Sequence, residues 1–161
     1  EQISRVVLVR PAVEAGEKLG FLPGDFSQKL DPYFRPLYDA LNDMLGFELV
    51  MQLVEQHIIE VVPLAYMRGR TFKDAIILAD EMQNATPAQV KMLMTRIGSG
   101  SKIVITGDIE QADRNKGDNG LMDLCERLQA TPVAGIAVCA LEGRDIQRHS
   151  IIGSVLKLYA V

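Results

Sequence analysis

Three observations point to an α/β fold, a mostly parallel sheet flanked by helices. Short apolar runs rich in β-branched residues alternate with segments whose apolar residues recur at helical spacing. Two of those runs, Ile76-Ile77-Leu78-Ala79 and Ile103-Val104-Ile105, stop abruptly on polar and acidic residues. Between them stands a helix start written by Thr86, Pro87 and Gln89, so strand, helix and strand follow one another as a parallel sheet requires.

Taken in order, Val6-Val7-Leu8-Val9 is a continuous strand that Arg10-Pro11 breaks. A chain opening on a core strand is expected to have lost something before it. Val13 to Lys18 reads as a short helix, and Gly20 to Asp25 as a turn-rich loop. Ser27 to Glu55 has helical spacing with a break near Gly46. Leu37, Leu41 and Leu45 share one face before the break, as do Leu49 and Leu53 after it. Ile58 to Val62 reads as a strand closed by Pro63, and Tyr66 to Thr71 as a loop with two arginines. After the strand ending at Ala79, Thr86 caps a helix, Pro87 takes its first position and Gln89 completes a capping box. Val90, Leu93, Met94 and Ile97 of that helix are expected to face the core. Gly98 to Ser101 ends it, and Lys102 to Thr106 is the next strand. Leu121, Leu124, Cys125 and Leu128 line a helix capped near Asp118 or Asn119; Gly135 to Leu141 reads as a further strand and Ile151 to Tyr159 as a closing helix.

At 161 residues the chain has the length of one ordinary domain. No apolar run is long enough to cross a bilayer, so no membrane partner is expected. The start, Glu1-Gln2-Ile3-Ser4-Arg5, lacks the basic start and long apolar centre of a signal peptide. Cys125 and Cys139 make neither a metal spacing nor a disulfide framework, and a cytoplasmic location is the expectation. A net charge of −4 gives no whole-molecule attraction to nucleic acid.

The chemistry centres on Asp80 and Glu81. Adjacent carboxylates at a buried strand's exit repel unless a cation lies close, and open α/β sheets hold ligands in this crevice. The plain alternative is a strand end that is merely acidic. Thr106-Gly107-Asp108-Ile109-Glu110-Gln111 repeats the pattern. If the two strands are neighbours, Asp80, Glu81, Thr106, Asp108 and Gln111 converge. Gly107 would let the backbone approach a ligand. Gln83 or Gln111 could hold a water and a phosphate oxygen together, because an amide both donates and accepts. Their bland reading is helix capping for Gln83 and plain surface for Gln111. Phosphoryl transfer also wants a phosphate cradle and usually an arginine. Arg10, Arg68, Arg70, Arg96 and Arg148 are candidates, each weighed against an ordinary surface or ion-pair role. No G-x-x-x-x-G-K-[ST] occurs. Gly98-Ser99-Gly100-Ser101-Lys102 follows a helix and precedes a strand, the reverse of a phosphate loop, and is a connector.

The Asp-Glu pair after a strand resembles the Walker B element of nucleotide triphosphatases. The block from Arg10 to Asp25 (RPAVEAGEKLGFLPGD), Asp31 to Leu41, Pro63 to Thr71, Asp80 to Asn84 and Thr106-Gly107-Asp108 together resemble PhoH-type proteins across nearly the whole chain. That family resembles the P-loop ATPase core of superfamily 1 helicases, which likewise follows the acid pair with Gln and carries Gly-Asp-x-x-Gln. The resemblance implies one ATPase domain over residues 1–161, binding ATP and Mg²⁺ and coupled to RNA or single-stranded nucleic acid. It implies that Asp80 coordinates Mg²⁺, that Glu81 activates water, and that Gln83 and Gln111 sense the γ-phosphate. Thr106, Gly107 and Asp108 join Asp80 in binding nucleotide. Arg10, Glu14 and Lys18 lie in the segment that touches nucleic acid in helicases. A homo-oligomeric ring is implied, with Arg70 or Arg148 entering a neighbour's site. In the family a strand, Gly-rich loop and helix precede the Val6 strand, so this chain is expected to lack that unit and to bind ATP poorly alone. Met82 stands where the family usually has Ala, and Arg114-Asn115 replaces a more apolar pair. Two rivals stay open: a Mg²⁺-dependent nuclease using Asp80, Glu81 and Asp108, and a non-catalytic nucleotide-binding or assembly module.

Overall fold

A computed structural model describes residues 3–11, 26–111 and 118–142, together with Asp145, Ile151, Ile152, Val155 and Leu158. Four strands, β1 (Arg5–Arg10), β2 (Ile59–Pro63), β3 (Ala75–Ala79) and β4 (Lys102–Ile105), form one sheet in the order β2-β1-β3-β4. Every pairing is parallel, with Val7 opposite both Glu60 and Ile77, and Ile77 opposite Ile103. The expected α/β class is therefore what the chain adopts. β1 is central, and Val7, Leu8 and Val9 are all buried, as a strand covered on both faces requires.

Helices α1 (Phe26–Leu45), α2 (Phe47–Glu55), α3 (Pro87–Met94) and α4 (Gly120–Ala130) complete the described elements, with short 3₁₀ turns at Leu64–Met67, Met82–Asn84 and Ile109–Gln111. The α1–α2 break falls at Gly46, whose φ of 83° is a glycine conformation. Thr86 accepts from the Gln89 backbone N–H while the Gln89 side chain accepts from the Thr86 backbone. The expected capping box is present, with Pro87 at the first turn. Asn119, not Asp118, caps α4 by accepting from Met122 N–H.

One sheet face carries Val7, Val9, Val62, Ala75, Ile77 and Ala79, packed with Leu64, Met67, Phe72, Met82, Ala85, Val90 and Leu93. The alternate residues, Leu8 among them, point to the other face. There α1 and α2 pack beside β1 and β2, and Phe34, Val50 and Ile59 are buried. Towards β4 that face opens: Val104 is 46% exposed.

Two expectations are corrected. Gly135 to Leu141 is not a strand: its residues are irregular and exposed. β-branched content supplies propensity, but a strand needs a partner, and no described strand pairs with the outer edge of β4. Ile97 lies outside the core at 47% exposure, because α3 ends at Met94 and Ile97 bridges Phe72 beyond it. The Ser27–Glu55 stripe is only partly covered: Leu45 and Leu49 are exposed, as are Met44, Phe47 and Met51. The readings of Val13 to Lys18 as helix and Gly20 to Asp25 as loop lie outside the described residues. Among the described residues no helix is long and apolar enough to cross a membrane.

Candidate functional site

The site grows from the carboxyl ends of β1, β3 and β4. Asp80 follows β3 directly, and its backbone N–H donates to Val9 O at 2.9 Å, tying the β1 and β3 tips together. Thr106 follows β4; its N–H donates to Ala79 O at 2.9 Å and its carbonyl accepts from Met82 N–H at 3.0 Å. These ladder bonds fix the side chains beyond them. Thr106 Oγ1 donates to Asp80 Oδ1 at 2.7 Å. Arg10, the last residue of β1, donates from Nε to Asp80 Oδ2 at 2.9 Å and from Nη2 to the same oxygen. Its third nitrogen, Nη1, donates to the Tyr33 carbonyl of α1 at 2.7 Å.

Burial of the Asp80 carboxyl pushes its pKa up. Hydrogen bonds from Thr106 and Arg10, the Arg10 charge and the Glu81 backbone N–H outweigh this, and Asp80 stays below the usual carboxylate value.

Glu81 has left-handed backbone, φ 59° and ψ 33°, a conformation a non-glycine residue adopts at some cost. That kink turns the chain into the Met82–Asn84 3₁₀ turn and exposes the Glu81 side chain. Gln83, only 2% exposed, reaches back from this turn. Its Nε2 donates to Glu81 Oε2 at 2.6 Å, and its Oε1 accepts from Asp108 N–H at 3.2 Å. Gln111 Nε2 donates to Asp108 Oδ2 at 2.6 Å. Gly107 has no room for a side chain: a Cβ there would collide with Gln83 Oε1 and lie 2.7 Å from Leu121 Cδ2. Met82, fully buried, belongs to the core beneath.

Of the residues read from the sequence, Asp80, Glu81, Gln83, Thr106, Gly107, Asp108 and Gln111 gather at one end of two adjacent strands. Arg70 is elsewhere. It makes a two-pronged ion pair with Glu60 at 2.7 and 2.8 Å and stacks on Phe72 at 4.5 Å, beside the strand preceding none of the acidic tips. Glu14, Lys18 and Arg148 lie outside the described residues. Arg10 sits in the site, held by Asp80 and Tyr33, and its side chain is 16% exposed. The link from Arg10 to Asp80 was missed in the sequence. The available signal was that Arg10 ends one core strand and Asp80 directly follows another, which becomes a contact once those strands are neighbours.

The donor set can be tested against Mg²⁺. Among the described residues no three His, Cys, Asp or Glu side chains gather into a cage. Mg²⁺ needs none, since it keeps several waters and binds through one or two carboxylates plus phosphate oxygens. Asp80 beside Thr106 fits that mode.

A family model described as "PhoH-like protein" matches residues 1–160. A "PhoH-like protein" of Bacillus subtilis (strain 168) is 52% identical over 158 residues, covering 98% of this chain and 49% of the relative. One of Mycobacterium bovis is 50% identical over 161 residues, covering 99% and 45%. "Protein PhoH" of Escherichia coli (strain K12) is 40% identical over 163 residues, covering 99% and 46%. The chain spans about half the length of these curated relatives.

Proposed function

The chain belongs to the PhoH-like protein family, and from that premise we propose that the whole protein hydrolyses ATP to ADP and phosphate with Mg²⁺, coupled to RNA or single-stranded nucleic acid. The parallel sheet with acid-tipped neighbouring strands fits the P-loop nucleotide triphosphatase type of that family. The observation that carries the reading is the Gln83 bridge, which joins Glu81 on the β3 side to Asp108 on the β4 side. A buried amide that ties two acid-bearing tips together favours a built site over a merely acidic strand end.

In this reading Mg²⁺ supplies charge neutralisation for the phosphates. Asp80 would hold it, and Thr106 keeps the carboxylate in place. Glu81 accepts a proton from the attacking water. Gln83 holds the Glu81 carboxylate in position, and Gln111, fixed to Asp108, responds to the γ-phosphate. Thr106, Gly107 and Asp108 line the nucleotide. Arg10, Glu14 and Lys18 belong to the segment proposed to meet nucleic acid. The homo-oligomeric ring is proposed from the family resemblance. Arg70 or Arg148 would act from a neighbouring subunit; Arg70 would first have to leave Glu60. The cytoplasm is the proposed compartment.

The nuclease rival would have Asp80, Glu81 and Asp108 share metal ions, and the Gln residues beside them, Gln83 and Gln111, argue against it. It predicts RNA cleavage with Mg²⁺ and no nucleotide. The module rival predicts no ATP turnover by the full-length protein.

The test is steady-state ATP turnover by the full-length protein carrying Glu81→Gln. Turnover is expected to fall about 10²–10⁴-fold, the usual worth of a general base, while a fluorescent ATP analogue still binds. Wild-type turnover in this variant would overturn the reading. Arg70→Ala and Arg148→Ala decide which arginine, if either, acts across subunits.

A further inference from the structure

We propose that Arg10 is the resident counter-ion of Asp80 when no metal is bound, that metal binding displaces it, and that the displacement is transmitted to α1. The inference rests on the reading of Asp80 as the Mg²⁺ residue.

Asp80 Oδ2 receives two N–H groups from Arg10, Nε and Nη2, and Oδ1 receives Thr106 Oγ1. A carboxylate oxygen has two good acceptor sites, so Arg10 fills Oδ2, and Thr106 together with the Glu81 N–H takes further acceptor sites of the same carboxylate, which leaves little of it for a metal-bound water. A guanidinium held against Asp80 also repels a divalent ion brought to the same carboxylate. That repulsion grows as the two like charges approach and is stronger for a divalent than for a monovalent ion. The ion and the guanidinium therefore compete.

The second half follows from the rigidity of the guanidinium. Nε, Nη1 and Nη2 lie in one plane around one carbon. Nη1 holds the Tyr33 carbonyl of α1 at 2.7 Å while the other two nitrogens hold Asp80. The plane cannot leave Oδ2 and keep its bond to Tyr33 unchanged. Arg10 is also where β1 runs into the segment that connects to α1. Metal occupancy at the β3 tip is thereby coupled to a helix on the sheet's other face. Arg10 is a positioning residue in this scheme, and it touches no reacting atom.

The test uses the full-length protein without nucleotide, with Mn²⁺ as the probe in place of Mg²⁺ and bound ion counted by electron paramagnetic resonance. Arg10→Gln removes the charge and is expected to tighten Mn²⁺ binding about tenfold or more. Arg10→Lys keeps the charge and is expected to stay within about threefold of wild type. A residue that merely braces the fold would not strengthen metal binding when lost. Asp80→Asn separates two kinds of failure. If Asp80→Asn binds Mn²⁺ as wild type does, the Mg²⁺ reading itself falls. If Asp80→Asn weakens binding but Arg10→Gln matches or falls below wild type, only the counter-ion proposal falls. A second readout needs no variant: saturating Mn²⁺ should speed amide hydrogen exchange around Tyr33 in wild type. Unchanged exchange there would overturn the coupling to α1.

Discussion

Gln83 is nearly inaccessible, yet both ends of its amide face the site. Its orientation depends on Gly107, whose missing side chain leaves the space that Gln83 Oε1 fills. Gly107→Ala must therefore push Gln83 or Leu121 aside. We expect about 1–3 kcal/mol of lost stability, the usual cost of overpacking, measured by urea denaturation. ATP turnover should fall at least tenfold in the full-length variant, because Glu81 loses its fixed neighbour. An unchanged denaturation midpoint and turnover would show that the pocket can relax. At this scale the sequence was informative wherever the candidate site is written locally. Asp80-Glu81-Met82-Gln83 is one such stretch, and Asp108 to Gln111 another. Arg10 was not legible in the same way. Its partner lies seventy positions away, and no local pattern records which strand tips become neighbours.

Among the elements, α3 was the most readable, since Thr86, Pro87 and Gln89 spell out its start and the structure carries both capping bonds. Thr86→Ala removes the acceptor for the Gln89 N–H. It should cost about 1 kcal/mol, seen as a lower denaturant midpoint with an unchanged slope. A loss of well under half that would mean that water replaces the cap. The end of the same helix was harder to read. Ile97 keeps the apolar spacing of Val90 and Leu93, but the helix has already stopped, and the residue bridges Phe72 from outside the core. Gly135 to Leu141 misled for a related reason. Strand propensity is a property of the residues, whereas pairing is a property of the sheet, and only the first is visible in one sequence.

Across the whole molecule, the parallel sheet was legible because strand and helix periods alternate, but the order β2-β1-β3-β4 was not. The conditional expectation that the two acid-tipped strands adjoin turned out correct, since β3 pairs with β4. The sheet is not equally protected across its width. β1 is sealed on both sides, whereas β4 bears an exposed Val104 and Lys102 and has one described neighbour. Amide exchange in this chain should be slowest at Val7 to Val9 and faster at Ile103 to Ile105; equal rates would contradict the gradient. Half of the site hangs from the weaker strand. On warming, the outer margin should fray first and carry Thr106 and Asp108 away, while the arginine-clamped carboxylate endures on its sheltered neighbours. Heat would then silence the cluster in two stages, the first of them well before the chain melts.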